Sequence, residues 1–251
     1  MPSEIRVVGL DGIPEVKPGA DLAEMIAGAL ATSGMALEEG DIFVVTHKVV
    51  AKAEGRLVDL ATIEPSAFAA DYAERYDKDA RQVEVVLRES NRIARMGHGV
   101  MICETRHGFI CANAGVDASN IDGDHIVCLL PVDPDASARR IRDGLAARFG
   151  IAPAIIISDS FGRPWRKGQV NVAIGVAGMS PFADYRGKTD PYGYEMRVTI
   201  MAVADELAGT AELLGGKTDA RPVALIRGYA YAAGDGSAAD LVMDSERDLF
   251  R

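Results

Sequence analysis

The chain has 251 residues, of which 48% are hydrophobic and 25% are charged, and its formal net charge is −10. This composition is typical of a folded protein of one or two domains, and it excludes a disordered chain. The negative charge argues against a general grip on the nucleic-acid backbone, and no apolar run approaches the roughly 20 residues that cross a membrane. Because the N-terminus shows no export signal, we expect a cytoplasmic protein with no nucleic acid or membrane as its partner.

The first half of the chain contains both strand-like and helical patterns. A strand is predicted in "EIRVVGL", followed by "DGIPEVKPG", whose glycines and prolines exclude regular structure. Apolar residues recur at helical spacing in "ADLAEMIAGALATSG", with Asp21 near the expected N-cap. "DIFVVTHKVVAKAEGR" begins as a strand and then turns polar, residues 65–96 predict a helix that is broken once, and "GVMICETRHGFICANAG" predicts a hairpin.

The second half adds buried strands and two helices. Strands are predicted in "DHIVCLLP", "APAIIIS", "VNVAIGVAG" and "RPVALIRGY", a capped amphipathic helix in "DPDASARRIRDGLAARFG", and a long helix in "GYEMRVTIMAVADELAGTAELLGG". Because hairpins are present and helices alternate with strands only in places, the pattern predicts an α+β fold with mixed or antiparallel sheets and packed helices. The sequence contains no GxxxxGK[ST] motif, so we expect no P-loop.

The cysteine count excludes two common kinds of site. Cys103, Cys111 and Cys128 are an odd number without a CxxC spacing. We therefore expect reduced, partly buried thiols and no structural zinc site.

Two loops combine acidic and polar residues in a way that permits metal chemistry. In "CANAGVDASNID", Asp117 could bind a hard cation, and Asn120 could bind a hydroxyl or the edge of a base. Alternatively, both side chains could cap their own backbone in an Asx-rich turn. In "SDSFGRPWRKGQ", Asp159 and Ser160 are expected where a buried strand stops, with Arg163 and two further cations close behind. This second stretch reads either as a metal–phosphate site or as a surface loop with ordinary Asp–Arg pairs.

Three further segments carry weaker signals. Lys48 and Lys52 recur at four-residue spacing, which fits either one face of a site or solvated lysines. "GGKTDARPVALIRG" ends the long helix, and it could equally form a nucleotide loop. "DYRGKTDPYGYE" is a candidate substrate-facing loop or dimer contact.

Taken together, these segments resemble the F420 γ-glutamyl ligase family, the coenzyme F420:L-glutamate ligases. The stretches "GIPEVKPGADLAEMI", "GDIFVVTHKVVAKAEGR", "RESNRIAR", "GFICANAGVDASNI", "SDSFGRPWRKGQVNVAIG" and "GGKTDARPVALIRG" occur in the family's order. The similarity runs from about Gly9 to Tyr229, and residues 230–251 lie outside its clearest part. The resemblance therefore implies a single ligase domain over residues 1–251. This domain could consist of two subdomains.

The resemblance implies a GTP-dependent amide ligase. Such an enzyme joins the α-amine of L-glutamate to a carboxylate of the deazaflavin cofactor precursor, and further γ-linked glutamates could follow. It also implies an intertwined homodimer, two Mg²⁺ or Mn²⁺ ions, and K⁺ as a candidate monovalent ion. The expected route is an acyl phosphate, because oxide is too poor a leaving group for direct condensation. The rival hypotheses are a metal-dependent GTP phosphohydrolase or phosphotransferase and a non-catalytic nucleotide-binding module.

The family's site residues are carried over position by position. The positions matching nucleotide contacts are Ile13, Pro14, Glu15, Val16, His47, Lys48, Lys52, Asn120, Gly216, Lys217, Thr218 and Asp219. The positions matching metal ligands are Asp117, Asp159 and Ser160, and the expected catalytic groups are Asp117, Asp159, Arg163 and Arg166. His47 stands where many relatives have serine, and Lys217 stands where archaeal members have an acidic residue, for which Asp219 is the alternative acid.

Overall fold

In the computed structural model, residues 4–119, 123, 125–216 and 219–249 are described. The first half contains β1 (Arg6–Gly9), α1 (Leu22–Thr32), β2 (Ile42–Thr46), α2 (His47–Ala53), β3 (Leu57–Asp59), α3 (Ala67–Tyr76), α4 (Ala80–Arg88), β4 (Ser90–Gly97), β5 (Val100–Thr105) and β6 (Ile110–Ala112). The second half contains β7 (Ile126–Cys128), α5 (Pro134–Phe149), β8 (Ala154–Arg163), β9 (Arg166–Ala177), β10 (Ala183–Asp184), β11 (Ile200–Met201), α6 (Val203–Gly215) and β12 (Val223–Arg227).

The largest sheet has five strands in the order β1-β12-β2-β8-β9. β2 and β8 run parallel, whereas the other neighbouring strands of this sheet run antiparallel. Its central strands are nearly continuous apolar runs, as expected for strands covered on both faces. Helices α5 and α6 both contact β9, and α1 packs on α5. The fold is therefore α+β with a mixed sheet, which confirms the predicted class.

A second, smaller layer has its own apolar core. It contains the antiparallel sheet β4-β5-β6, the antiparallel pair β3-β7, and helices α3 and α4. Val83, Val86, Met101 and Leu129 are among the buried residues of this core. In the described part of the chain, no helix combines the length and the apolar character needed to span a membrane.

The predicted hairpin over residues 99–115 is confirmed by the pairing of β5 with β6. The predicted helices over residues 65–96 and 193–216 were both too long. The first ends at Arg88, because residues 90–97 pair with β5, and the second begins only at Val203, because Ile200 and Met201 pair with β10. In both places strand pairing decided the structure against a helical pattern in the sequence.

The expectation that a strand stops before Asp159 was also wrong. β8 continues to Arg163 and forms a long antiparallel hairpin with β9. The register between the two strands shifts between Ile157 and Ser158, where β9 accommodates one extra residue. Asp159 therefore lies within a strand and not on a loop. The bulge just before it redirects the side chains that follow.

A buried ion pair ties β12 to the segment before β2. Asp41 is 0% exposed and accepts two hydrogen bonds from Arg227, both at 2.7 Å, and one from the backbone N–H of Glu38 at 2.8 Å. We expect Asp41→Ala to lower the free energy of unfolding by about 3 kcal/mol, because it leaves the Arg227 charge without its buried partner. Urea denaturation measures this loss. The exposed Asp184–Arg186 pair is the matched control, and Asp184→Ala should barely change the midpoint. Equal losses in both variants would contradict this account.

Candidate functional site

An open groove of about 980 Å³ lies where β8, β9, α2 and the end of α6 meet. The residues before α1 and before β12 complete its walls. The sequence-predicted residues that line it are Ile13, Pro14, Glu15, Val16, His47, Lys48, Lys52, Asp117, Asp159, Ser160 and Gly216. Residues far apart in the chain thus converge on one cavity of a size that holds a nucleotide-sized ligand.

Asp159 is held by the buried imidazole of His47. The distance from His47 Nδ1 to Asp159 Oδ1 is 3.1 Å, and both side chains are largely buried. Burial lowers the pKa of His47, but the charge and the hydrogen bond of Asp159, together with the nearby Cys128, outweigh it and raise the pKa to about 10. The raised pKa favours the protonated form of His47 beside the Asp159 carboxylate.

Asp117 is held by Lys48 and Ser119. Its carboxylate accepts a bond from Lys48 Nζ at 2.7 Å, from the backbone N–H of Ser119 at 2.8 Å and from the Ser119 hydroxyl at 3.0 Å. Burial acts to raise the pKa of Asp117, but these bonds and the Lys48 charge outweigh it and hold the pKa below its usual range. A backbone bridge to Cys128 fixes the position of this residue against β7.

Helix α2 supplies cations to both acids from consecutive positions. His47 and Lys48 open the helix and reach Asp159 and Asp117, respectively. One turn later, Lys52 donates to the Glu15 carboxylate at 2.5 Å, although Lys52 itself is only 9% exposed. The four-residue spacing of the two lysines thus places both on the groove side of a helix.

A polar chain on the β9 side of the groove was missed from the sequence. The Ser160 hydroxyl donates to Asn171 Oδ1 at 2.7 Å, and Asn171 Nδ2 donates to Glu212 Oε2 at 2.9 Å. Asn171 is buried in β9, and Glu212 lies near the end of α6. Both residues line the groove, and Asn171 connects Ser160 to the carboxylate of Glu212.

The remaining predicted residues are placed differently. Arg163 and Arg166 lie at the far end of the β8–β9 hairpin, beyond the residues that line the groove, and Arg163 Nη2 donates to the Lys167 carbonyl at 2.7 Å. Asp219 lies beside the groove-lining residues Ala220 and Arg221. Asn120, Lys217 and Thr218 lie outside the described residues.

Two of the three thiols lie close to site residues, Cys128 to His47 and Cys111 to Asp159. Cys103, Cys111 and Cys128 are all buried, and burial together with the charge of Asp159 raises the pKa of Cys111 to about 12. We expect iodoacetamide to label Cys103 and Cys111 at least about 100-fold more slowly in the folded protein than in urea at pH 8, because burial raises the pKa of both thiols and the thiolate is the reactive form. Mass spectrometry counts the labelled cysteines over time. Fast labelling of either of these two without urea would show that this layer opens readily.

Comparison with known proteins identifies the chain. A family model described as F420-0:Gamma-glutamyl ligase matches residues 12–228. The chain belongs to this family. Relatives named Coenzyme F420:L-glutamate ligase include one from Methanothermobacter thermautotrophicus, 46% identical over 250 residues, which covers 98% of this chain and 99% of the relative. Another, from Methanopyrus kandleri, is 46% identical over 94% of both chains, and one from Methanocaldococcus jannaschii is 40% identical over 99% of this chain and 97% of its own.

The groove of this ligase family member has the ligand chemistry that a hard divalent cation requires. Asp117, Asp159, Ser160 and Glu212 bring carboxylate and hydroxyl oxygens to one cavity. Among the described residues, however, no three histidine, cysteine or acidic side chains are close enough to hold a metal ion by themselves. Mg²⁺ is typically bound by one or two carboxylates together with water and substrate phosphates, so the residues present fit an ion that shares its ligands with a bound substrate.

Proposed function

We propose that this chain is a GTP-dependent ligase that joins the amine of L-glutamate to the carboxylate of the F420 precursor through an acyl phosphate. Membership of the F420-0:Gamma-glutamyl ligase family supports the two substrates. The observation that carries the proposal is the groove itself, in which Asp117 and Asp159 face His47, Lys48 and Lys52. Such a mixed lining suits a triphosphate, whose charge needs both cations and metal-binding acids.

The proposed reaction has two steps. The precursor carboxylate attacks the γ-phosphorus of GTP, the bond to the β-phosphate oxygen breaks, and GDP leaves. The glutamate amine, once deprotonated, then attacks the acyl carbon and expels inorganic phosphate. The acyl phosphate is needed because it replaces oxide with a good leaving group. Repetition of the cycle on the product would add further glutamates.

The side chains divide the work by charge. We propose that Lys52 and Lys48, which line the groove, bind and position the phosphates. Asp117, Asp159 and Ser160 would hold Mg²⁺ or Mn²⁺, which offsets phosphate charge during transfer when it is bound. Arg163 and Arg166 would add positive charge only if the end of the hairpin bends over the groove. For that reason, we assign phosphate binding first to the two lysines and only second to these arginines.

The decisive experiment supplies the purified chain with GTP, L-glutamate, the unglutamylated F420 precursor, Mg²⁺ or Mn²⁺, and KCl. Mass spectrometry should reveal products heavier by one or more glutamyl units, with one GDP and one phosphate formed for each unit. Phosphate release that does not need glutamate would instead favour a phosphohydrolase. Saturable GTP binding without turnover would favour a nucleotide-binding module.

We also propose that the chain acts in the cytoplasm as a homodimer. The segment between β10 and β11 exposes Tyr192, Tyr194 and Val198, and the first of these is 96% exposed. Exposed aromatic residues are enriched at protein interfaces. Light scattering after size-exclusion chromatography should give twice the chain mass of 26.7 kDa, and a mass of one chain would overturn this proposal.

A further inference from the structure

One buried hydroxyl on the groove wall has no hydrogen-bond partner. Ser158 directly precedes Asp159 in β8, is 1% exposed and lines the groove. Among the described residues, nothing accepts from or donates to its Oγ atom. A buried polar group without a partner destabilises a fold, and native structures contain few of them.

The other two buried serine and threonine hydroxyls of the described chain do have partners. Ser137 is 2% exposed, and its Oγ donates to Glu54 Oε1 at 2.5 Å and accepts from Arg140 Nη2 at 2.9 Å. Thr105 is equally buried, and its hydroxyl accepts the backbone N–H of Phe109 at 3.1 Å. The Tyr72 hydroxyl in the smaller core also lacks a partner. Of the unpartnered hydroxyls in the described residues, however, only that of Ser158 belongs to a residue that lines the groove.

The surroundings of Ser158 indicate what its partner is. Ser158 pairs in register with Thr46, the residue before α2, and the register shift of the β8–β9 hairpin occurs at the same point. It therefore lies beneath the start of the helix that carries Lys48 and Lys52 into the groove. A hydroxyl that lines the same groove as these cations is suited to donate a hydrogen bond to an anionic oxygen that they attract.

We propose that Ser158 is a substrate-binding residue whose hydroxyl donates a hydrogen bond to a phosphate oxygen of the bound nucleotide. This inference rests on the proposed function, because it takes GTP as the ligand of the groove. In this proposal the Ser158 hydroxyl is unsatisfied in the free protein, and the ligand satisfies it on binding.

The proposal predicts opposite effects on stability and on binding. Ser158→Ala removes the unsatisfied hydroxyl, so the ligand-free protein should melt about 2 °C or more above the wild type. The same variant should bind GDP about tenfold more weakly, because a hydrogen bond to a charged oxygen is lost. Ser137→Ala is the matched control, and it should melt below the wild type and leave GDP binding unchanged.

Thermal melts are run with EDTA for the free protein, and calorimetric titrations with Mg²⁺ compare GDP, inorganic phosphate and guanosine. Weaker binding of GDP and phosphate by Ser158→Ala, with guanosine unaffected, supports a phosphate contact. A lower melting temperature together with unchanged GDP affinity would overturn the proposal, since it would assign Ser158 a structural role. If KM rises for L-glutamate and not for GTP, the partner is a substrate carboxylate and the proposal also fails.

Ser158→Cys keeps the size of the side chain but donates only weakly. It covers the case in which alanine disturbs the bulge, and it should also bind GDP more weakly than the wild type. Wild-type activity separates this inference from the function on which it rests. If the wild type makes no glutamylated product, the proposed function fails. If it makes product and the serine variants bind GDP normally, only the Ser158 inference fails.

Discussion

Asp159→Asn is expected to lower the turnover of glutamylated product by about 100-fold or more. The asparagine keeps the shape of the side chain but removes the charge that we assign to a divalent ion at the transferred phosphate, and losses of single preorganised electrostatic groups reach this size. The steady-state rate of GDP formation in the presence of both acceptor substrates measures the effect. KM for L-glutamate should change much less, because the proposed role of Asp159 lies in phosphoryl transfer.

The His47 pair requires a folding control for this variant. Asp159 is the main reason that the pKa of His47 reaches about 10, so the asparagine variant lets the buried imidazole become neutral. Neutralisation avoids an unpaired buried charge, and we therefore expect Asp159→Asn to remain folded by circular dichroism. Asp71→Asn, at an exposed position of α3 outside the groove lining, is the matched control and should keep wild-type turnover. Near-normal turnover by folded Asp159→Asn would refute the metal role of this carboxylate.

The sequence predicts the elements whose own residues decide their structure. Helix α5 is capped by Asp133 before its first residue and by Gly150 after its last, where a φ of 70° suits glycine, and both signals are local. Residues 193–201 and 90–97 were predicted wrongly, because their conformations depend on strand partners elsewhere in the chain. Local pattern could not reveal those pairings, since strand structure depends strongly on tertiary context.

The groove shows the same division between local and distant information. The local sequence singles out Asp159 and raises Lys52 as one of two alternatives, whereas Glu15 enters only through the family resemblance. Asn171 and Glu212 lie in an apolar strand and an ordinary helix, so nothing in their neighbours distinguishes them. Their role as groove residues follows only from the packing of α6 against β9, which brings them within 2.9 Å of each other.

Lys52→Met is expected to raise KM for GTP by about tenfold to 100-fold, with a smaller effect on KM for L-glutamate. Lys52 is nearly buried at the groove wall, and its ammonium contacts Glu15 Oε1 at 2.5 Å. Methionine keeps the apolar stem but removes the ammonium charge that we expect to bind the nucleotide phosphates. The loss of one hydrogen bond to a charged group weakens binding by about the factor predicted here. Initial rates over a range of GTP concentrations give both constants.

The Glu15 partner allows two roles of Lys52 to be separated. If the lysine served only to form its ion pair with Glu15, Glu15→Gln would raise KM for GTP by about as much as Lys52→Met does. If Lys52 binds phosphate, Glu15 competes with the nucleotide for the same ammonium, so Glu15→Gln should leave KM for GTP unchanged or lower it. Lys78→Met, at an exposed position after α3 and outside the groove lining, controls for loss of one positive charge. Parallel rises of KM in the Lys52 and Glu15 variants would remove Lys52 from the phosphate site, since they would make the ion pair itself the functional unit.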